Sequence, residues 1–183
     1  MAAGPARELG RAALGRGVAA KTRTRAAAGS LLFLLVSPGV FAGLIPWLLT
    51  RWEMRDPFEG WVALRIVGVL LLAAGTGVVL QAFARFAFEG FGTPAPFAPP
   101  QRLVVGGLYR YVRNPMYLAV TAVISGQALL LGRPWLLLYA AGFLAVVAAF
   151  ARWYEEPALR RKFGADYDEY RRTVPGWLPR RRR

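Results

Sequence analysis

The residues best suited to chemistry lie in one stretch, Gly106 to Tyr117, where a proline-rich connection meets a long apolar run. Pro115 has no backbone N–H and suits the first turn of a helix, while Asn114 before it is disfavoured in helical geometry and can cap that turn. The free N–H groups of a helix start carry partial positive charge, to which Arg113 adds a full charge. The stretch therefore predicts a binding site for a carboxylate or phosphate group.

Two carboxylates, Glu155 and Glu156, lie at the end of the last apolar run. The short turn at residues 132–134 makes the last two runs an antiparallel hairpin, which brings both carboxylates beside Arg113. This arrangement predicts a polar cavity for a ligand that carries both an ammonium and a carboxylate group. Two simpler interpretations stay open, namely solvated ion pairs of the glutamates and an interfacial belt with a lipid-binding arginine. They involve Arg152, Arg160 and Arg161 in the first case and Tyr109, Tyr111, Tyr117 and Arg113 in the second.

The composition excludes several kinds of site. The chain contains no cysteine and no histidine, so disulfides, thiol nucleophiles, histidine general bases and the usual zinc sites are excluded, and we expect no metal. The formal net charge is +14, but no nucleic-acid-reading module is present, and we expect no nucleic acid partner. The basic residues that flank the apolar runs are instead explained by the positive-inside rule and by contact with anionic lipid headgroups.

The elements that must position these residues are apolar helices, because 56% of the 183 residues are hydrophobic. Four apolar runs predict an all-α integral membrane protein with about four transmembrane helices. The runs are Ser30–Thr50, Trp61–Phe83, Pro115–Leu131 and Trp135–Trp153. In the second run, Gly68, Gly75 and Gly77 offer flat surfaces to a neighbouring helix. A signal peptide is the alternative interpretation of the first run.

The predicted organisation has four segments. Residues 1–28 form a disordered basic tail, residues 29–88 the first two transmembrane helices, residues 89–177 the core with a structured loop, the hairpin and a C-terminal helix, and residues 178–183 a basic tail. The tails and the second connection are basic, whereas the first connection is slightly acidic. This asymmetry predicts that both termini and the candidate site lie in the cytoplasm.

The segment after the fourth run predicts a C-terminal amphipathic cytoplasmic helix, because Leu159, Phe163 and Tyr170 share one apolar face. Pro157 predicts a bend, since its ring would clash with the carbonyl of Trp153 in a straight helix. The first piece of the helix can end at a glycine and restart with a capping box. These residues are Gly164, Asp166 and Glu169.

Three motifs carry a family resemblance. They are Gly107-Leu108-Tyr109-Arg110-Tyr111-Val112-Arg113-Asn114-Pro115-Met116-Tyr117, Glu155-Glu156-Pro157-Ala158-Leu159 and Phe163-Gly164-Ala165-Asp166-Tyr167-Asp168-Glu169-Tyr170. Together they resemble the isoprenylcysteine carboxyl methyltransferase family and its bacterial relatives, and phospholipid N-methyltransferases are similar in the same region. The resemblance covers about residues 90–177 and implies an integral membrane enzyme that uses S-adenosylmethionine.

The resemblance also implies roles for individual residues. The cofactor pocket would be lined by Gly107, Leu108, Tyr109, Arg113, Asn114, Pro115 and Tyr117, while Glu155 and Glu156 would hold the amino group and the positive sulfonium end of the cofactor. The residues expected to act in catalysis are Arg113, Asn114 and Glu156. Many family members have histidine where this chain has Asn114. Asparagine still forms hydrogen bonds but cannot titrate near neutral pH.

The resulting hypothesis is methyl transfer to a lipophilic acceptor, at the cytoplasmic side of a bacterial cytoplasmic membrane. A carboxylate acceptor of isoprenoid or similar type is favoured, because it arrives ionised and needs no base. Three alternatives stay open: a phospholipid N-methyltransferase, an NADPH-dependent reductase that resembles steroid 5α-reductase, and a non-catalytic membrane anchor or lipid-binding protein.

Overall fold

The computed structural model describes residues 36–88 and 102–179, and every regular element in these two ranges is helical. The predicted N-terminal tail, most of the proline-rich loop and the final Arg180–Arg183 lie outside the described residues. The helices are α1 (Val36–Thr50), α2 (Val62–Phe88), α3 (Pro115–Leu130), α4 (Leu136–Phe150), α5 (Glu156–Phe163) and α6 (Ala165–Thr173). A 3₁₀ turn, Gly107–Arg110, precedes α3.

Two helical stretches of the described chain are long and apolar enough to cross a membrane, Val62–Arg85 and Leu136–Phe163. Only 17% of the first and 22% of the second is buried within the chain, so few of their side chains are enclosed by the chain itself, as expected of surfaces that face lipid. The other two apolar helices, Val36–Thr50 and Pro115–Leu130, are shorter. The all-helical, membrane-associated architecture agrees with the sequence, whereas the count of four crossings stays a prediction.

Glycines allow α2 and α3 to pack with their backbones in close contact. A Cβ atom added to Gly68 would lie 2.8 Å from the carbonyl oxygen of Gly126, and one added to Gly75 would lie 2.8 Å from the carbonyl oxygen of Ala119. The packing role predicted for these two glycines is confirmed. The same prediction for Gly77 is wrong, because no described atom lies within 4 Å of its added Cβ.

The main hydrophobic core lies where α2, α3 and α4 meet. Ile124 of α3 and Leu136 of α4 are fully buried there, beside Val79 and Phe83 of α2. Replacing Ile124 by alanine would cost about 2–5 kcal/mol of stability through the cavity it leaves. The predicted hairpin is confirmed, since α3 and α4 are joined by a turn of five residues and pack on one another.

Helix α1 contains a one-turn π-helix, Val40–Leu44, followed by Pro46. Proline has no N–H. After a π-turn, therefore, neither the α-helical acceptor carbonyl four residues earlier nor the π-helical acceptor carbonyl five residues earlier receives a backbone donor. These carbonyls belong to Ala42 and Phe41. Side chains of the neighbouring helices supply the missing donors: Gln127 Nε2 donates to Ala42 O at 2.5 Å, and Tyr139 Oη donates to Phe41 O at 2.8 Å.

A second π-turn, Ala151–Glu155, joins α4 to α5 just before Pro157. The backbone N–H of Glu156 donates to Ala151 O, which is the i to i−5 pattern of a π-helix. The sequence predicts a bend at Pro157, and the structure places a π-turn directly before it, within the helical stretch Leu136–Phe163. A π-turn and a proline are both recognised causes of a bend in a helix.

The C-terminal segment differs from its prediction in one respect. Gly164 ends α5 at a φ of +54°, as predicted, and the chain continues in α6. The predicted capping box is absent: Asp166 lies inside the first turn of α6 and makes no capping hydrogen bond, and Glu169 pairs with Arg172. Gly164 reaches a backbone geometry open to glycine and occupies the capping position itself. The amphipathic cytoplasmic helix as a whole stays a prediction.

The predicted apolar face of this segment does form one cluster. Leu159 and Phe163 of α5 pack with Tyr170 of α6. Leu103, which follows the proline-rich connection, completes the cluster. The two C-terminal helices are thereby held against the residues that lead into the 3₁₀ turn.

Candidate functional site

The 3₁₀ turn before α3 is held from several sides. Gly107 adopts a φ of +57°, and the guanidinium of Arg85 from α2 lies where a side chain at this position would begin. Tyr109 is buried against Ala82 and Met116. Tyr170 Oη donates to the carbonyl oxygen of Tyr109 at 2.7 Å. The turn is thus fixed between α2 and α6, immediately before the helix start that the sequence singles out.

At the helix start, Pro115 is the first residue of α3 and Asn114 precedes it, as predicted. The predicted capping by the Asn114 side chain is wrong, because no such hydrogen bond forms. Its Nδ2 donates instead to Gly176 O at 3.2 Å, beside a second hydrogen bond from the Asn114 backbone N–H to the same oxygen at 3.1 Å. The backbone N–H of Arg113 donates to Pro175 O at 2.9 Å. Asn114 therefore binds the C-terminal segment to the start of α3.

Arg113 and Glu156 form a largely buried ion pair. Arg113 Nη1 lies 2.9 Å from Glu156 Oε1, and the side chains are 14% and 13% exposed. The same Nη1 donates to Tyr167 Oη at 3.4 Å, and Arg171 Nε lies 3.7 Å from Glu156 Oε2. The interpretation of Glu156 as a solvated partner of Arg152, Arg160 or Arg161 is therefore wrong. Arg160 pairs with Asp168 instead.

One donor of Arg113 is left over. Its Nε is buried and has no hydrogen-bond partner within the described residues. The Nε atoms of Arg65 and Arg133 are in the same state, so this feature does not distinguish Arg113. Its position does: a guanidinium that is oriented by one carboxylate beside a helix start can hold a second, external carboxylate through its remaining N–H groups.

Glu155 has a different partner from its neighbour Glu156. Tyr117 Oη, in the first turn of α3, donates to Glu155 Oε2 at 2.9 Å. The ring of Tyr117 stacks on Trp177, with 6.3 Å between the ring centroids and 27° between the planes. Adjacent residues of a helix point about 100° apart, so the end of the π-turn directs one carboxylate to Tyr117 and the other to Arg113.

Three tyrosines around the site remain protonated donors. Burial, with a smaller contribution from the Glu155 carboxylate, raises the pKa of Tyr109 well above its usual range. Burial is also the main cause of the raised pKa values of Tyr167 and Tyr170, against which the Arg113 cation acts. These hydroxyls are therefore neutral at physiological pH, and the Tyr170 hydrogen bond to Tyr109 is maintained.

A surface cleft of about 770 Å³ lies next to the site, between the residues around the 3₁₀ turn and α6. Its lining includes Leu103, Arg110, Tyr111, Tyr170 and Thr173. Tyr170 connects it to the 3₁₀ turn through the hydrogen bond to Tyr109. The cleft is large enough for a cofactor-sized ligand. Within the described ranges, no group of three or more acidic residues is positioned to hold a metal ion.

The structure thus brings together the sequence-predicted residues from two ends of the chain. Arg113 meets Glu156 and Tyr117 meets Glu155, while Gly107, Leu108 and Tyr109 form the adjacent 3₁₀ turn. A family model described as phospholipid methyltransferase matches residues 63–166. The chain belongs to the phospholipid methyltransferase family. No curated protein and no solved structure shows a significant match to this chain.

Family membership supports a membrane methyltransferase that acts on lipid-like substrates. The match agrees with the broader superfamily that the motifs predict, while the narrower assignment to isoprenylcysteine carboxyl methyltransferases stays a prediction. Neither the reductase nor the anchor alternative is favoured by it. The matched residues include both partners of the Arg113–Glu156 and Tyr117–Glu155 pairs.

Sequence reasoning missed several residues of the site. Tyr167 and Arg171 complete the surroundings of the Arg113–Glu156 pair, and Trp177 stacks on Tyr117. Tyr167 lies inside a motif that carries the family resemblance, so this motif could have identified it as a site residue. Trp177 follows Pro175-Gly176, and only the packing of these residues on Arg113 and Asn114 reveals its position.

Proposed function

We propose that this protein transfers a methyl group from S-adenosylmethionine to a lipid-like acceptor at the membrane surface. The observation that carries the proposal is the pair of contacts at the end of the second π-turn, where Glu156 orients Arg113 and Glu155 faces Tyr117. A carboxylate and a guanidinium close together complement the sulfonium and the carboxylate of S-adenosylmethionine. The family match supports the reaction class.

The residues present fit the cofactor. Arg113, oriented by Glu156, would hold the carboxylate of the methionine portion, and Glu155 would face the sulfonium. Glu156 would act mainly through Arg113, because its carboxylate is already engaged by Arg113 and Arg171. The 3₁₀ turn of Gly107, Leu108 and Tyr109 would form the neighbouring wall.

When bound, S-adenosylmethionine supplies a methyl group on a positively charged sulfur, which departs as a neutral thioether. The chain then has to align the reactants and exclude water. The buried environment of Tyr117 and Glu155 meets the second need. A carboxylate acceptor requires no base, in keeping with asparagine at position 114.

An amine acceptor, such as a phospholipid headgroup, is the second candidate, and the family description favours it. An ammonium group must lose a proton before it can accept a methyl group. Glu155, hydrogen-bonded to Tyr117, is the carboxylate in position to receive that proton. The two candidates therefore differ in whether Glu155 is needed as a proton acceptor.

Titration calorimetry on detergent-purified protein tests the proposal. S-adenosylmethionine and its demethylated product should both bind, and Arg113→Ala should weaken both at least tenfold, since a hydrogen-bonded charge contributes about 1.5–3 kcal/mol. Arg133→Ala is the matched control, because the Arg133 side chain is also 14% exposed and also pairs with a glutamate, Glu53. The affinity of this variant for both ligands should stay within about twofold of wild type. If neither S-adenosylmethionine nor its demethylated product binds, the proposal is wrong. Stronger binding of NADPH than of S-adenosylmethionine would favour a reductase.

The acceptor class follows from the chemistry of the product. Membranes that contain the protein are incubated with methyl-labelled S-adenosylmethionine, and the labelled lipid is treated with alkali. A methyl ester releases labelled methanol, which is volatile, whereas an N-methyl group stays bonded to nitrogen in the non-volatile headgroup. Label in the volatile fraction supports the carboxylate acceptor, and label in the non-volatile fraction supports the headgroup amine.

A further inference from the structure

The segment Pro175–Trp177 is attached to the start of α3 although it lies beyond residue 166, where the family match ends. Three hydrogen bonds hold it there: Arg113 N–H to Pro175 O, and both the backbone N–H and Nδ2 of Asn114 to Gly176 O. A side chain at position 176 would begin 3.3 Å from Arg113 Nη2, so Gly176 allows a close approach. These contacts bring the next residue, Trp177, to Tyr117.

We propose that Trp177 and Tyr117 together bind the methylated cationic centre of the reaction, and that Asn114 is the positioning residue that holds Trp177 in place. This inference rests on the proposed function. The ligand chemistry is an onium cation that bears methyl groups, either the sulfonium of the cofactor or the ammonium of a lipid headgroup. The carboxylate of Glu155 is close to the pair, since its Oε2 accepts a hydrogen bond from the Tyr117 hydroxyl at 2.9 Å.

Aromatic rings suit this task chemically. The faces of tryptophan and tyrosine attract cations, tryptophan most strongly, and an aromatic face does not compete with the acceptor for the methyl group as an exposed amine or thiolate would. Because Tyr117 donates its hydroxyl proton to a carboxylate, its ring becomes richer in electrons, which strengthens the attraction. Methyl-substituted onium ions are weakly hydrated and are bound in proteins by such groups of rings.

The position of Trp177 differs from that of the other aromatic residues near this end of the molecule. Trp153 is 77% exposed, and Leu178, which directly follows Trp177, is 78% exposed. Trp177 itself is only partly exposed and is stacked on a residue that contacts Glu155. A tryptophan that only anchored the chain in the interface would not need two hydrogen bonds from Asn114 to the residue before it.

The proposal gives Asn114 a function that does not require titration. An amide side chain can donate to Gly176 O at any physiological pH, whereas a histidine would do so in only one tautomer or when charged. Asn114 thereby acts on the reaction through Trp177. Its replacement should affect the same ligand as the replacement of Trp177, and less strongly.

The test compares S-adenosylmethionine with its demethylated product, whose sulfur is uncharged and whose ammonium and carboxylate are unchanged, in titration calorimetry on the full chain. Trp177→Leu should weaken binding of the cation about three- to thirty-fold, the range of a cation–π contact, and leave the neutral product within twofold. Trp177→Phe should recover part of the loss. Trp135→Leu, at the other end of α4, is the control and should change neither affinity.

A second arm distinguishes the source of the cation. If Trp177→Leu leaves S-adenosylmethionine binding unchanged, its KM for nanodiscs that contain N-methyl-phosphatidylethanolamine should rise about three- to thirty-fold. That result would assign Trp177 and Tyr117 to the lipid headgroup. Asn114→Ala should shift whichever quantity Trp177→Leu shifts, and the double variant should be no worse than Trp177→Leu alone. Equal loss of cation and neutral product, or no change in either arm, overturns the inference. Failure of wild type to bind either cofactor form would instead contradict the proposed function.

Discussion

The two π-turns, Val40–Leu44 and Ala151–Glu155, both lie next to a proline, but they differ in what replaces the missing backbone donor. Each precedes a proline, Pro46 or Pro157, that removes a backbone donor. At the first turn, the carbonyls left without donors are satisfied by Gln127 and by a tyrosine of α4. At the second, the corresponding carbonyls belong to the exposed Arg152 and Trp153, and no described side chain donates to them.

The difference indicates that one turn fixes the fold and the other shapes the site. The first turn connects α1 to α3 and α4 through two side-chain hydrogen bonds and carries no charged residue. The second turn ends at Glu155, after which Glu156 starts α5, and it directs these carboxylates to Tyr117 and Arg113. A π-turn inside a helix is often found at a functional site, and only the second has that character here.

The largest expected effect comes from inserting one alanine into each π-turn. The hydrogen bond from Glu156 N–H to Ala151 O shows that the second turn already holds one extra residue, so a further alanine inserted after Arg152 should rotate Glu155 and Glu156 by about 100° relative to α4. Affinity for S-adenosylmethionine and methyl transfer should then fall by about 100-fold or more, because a displacement of 1 Å can cost that much. Both are measured by calorimetry and by transfer of labelled methyl to lipid.

Insertion of one alanine after Gly43 in the first π-turn is the matched control. No described atom outside its own helix lies within 4 Å of a Cβ at position 43, so this face has room for a side chain. The insertion should lower the melting temperature through the loss of the Gln127 and Tyr139 hydrogen bonds and leave cofactor affinity within about threefold. If the two insertions affect binding equally, the distinction between the turns is wrong.

Features set by local geometry could be predicted from the sequence. The start of α3 at Pro115, the hairpin, the packing of Gly68 and Gly75 and the end of α5 at Gly164 all follow from residue types at fixed positions. The proximity of Arg113 to the two glutamates also followed, since a hairpin must bring its ends together.

Features that depend on partners far along the chain could not be predicted. A proline shows that a helix is disturbed, but whether a π-turn compensates depends on a donor such as Gln127, 85 residues away from Ala42. The division of roles between Glu155 and Glu156 depends on the helical register after the second turn. The cap expected from Asn114 failed because Gly176 O, 62 residues away, is its partner instead.

A smaller effect is expected at the donors of the first π-turn. Gln127→Leu leaves the half-buried carbonyl of Ala42 without a donor and Trp52 Nε1 without its acceptor, and it should cost about 1–3 kcal/mol of stability. Tyr139→Phe should cost less, about 0.5–1.5 kcal/mol, because this hydrogen bond is exposed. Thermal unfolding in detergent measures both. Neither variant should change cofactor affinity, and a selective loss of binding in Gln127→Leu would place the first turn in the site as well.

The most direct test of the account compares Glu155→Gln with Glu156→Gln in titration calorimetry against S-adenosylmethionine and its neutral demethylated product. Glu155 is assigned to the cationic centre, so Glu155→Gln should weaken binding of the cation about tenfold and leave the neutral product nearly unchanged. Glu156 acts through Arg113, which binds a carboxylate that both ligands share, so Glu156→Gln should weaken both equally. The same pattern of loss in both variants, or the reverse assignment, would contradict the proposal that the second π-turn separates these two carboxylates into different roles.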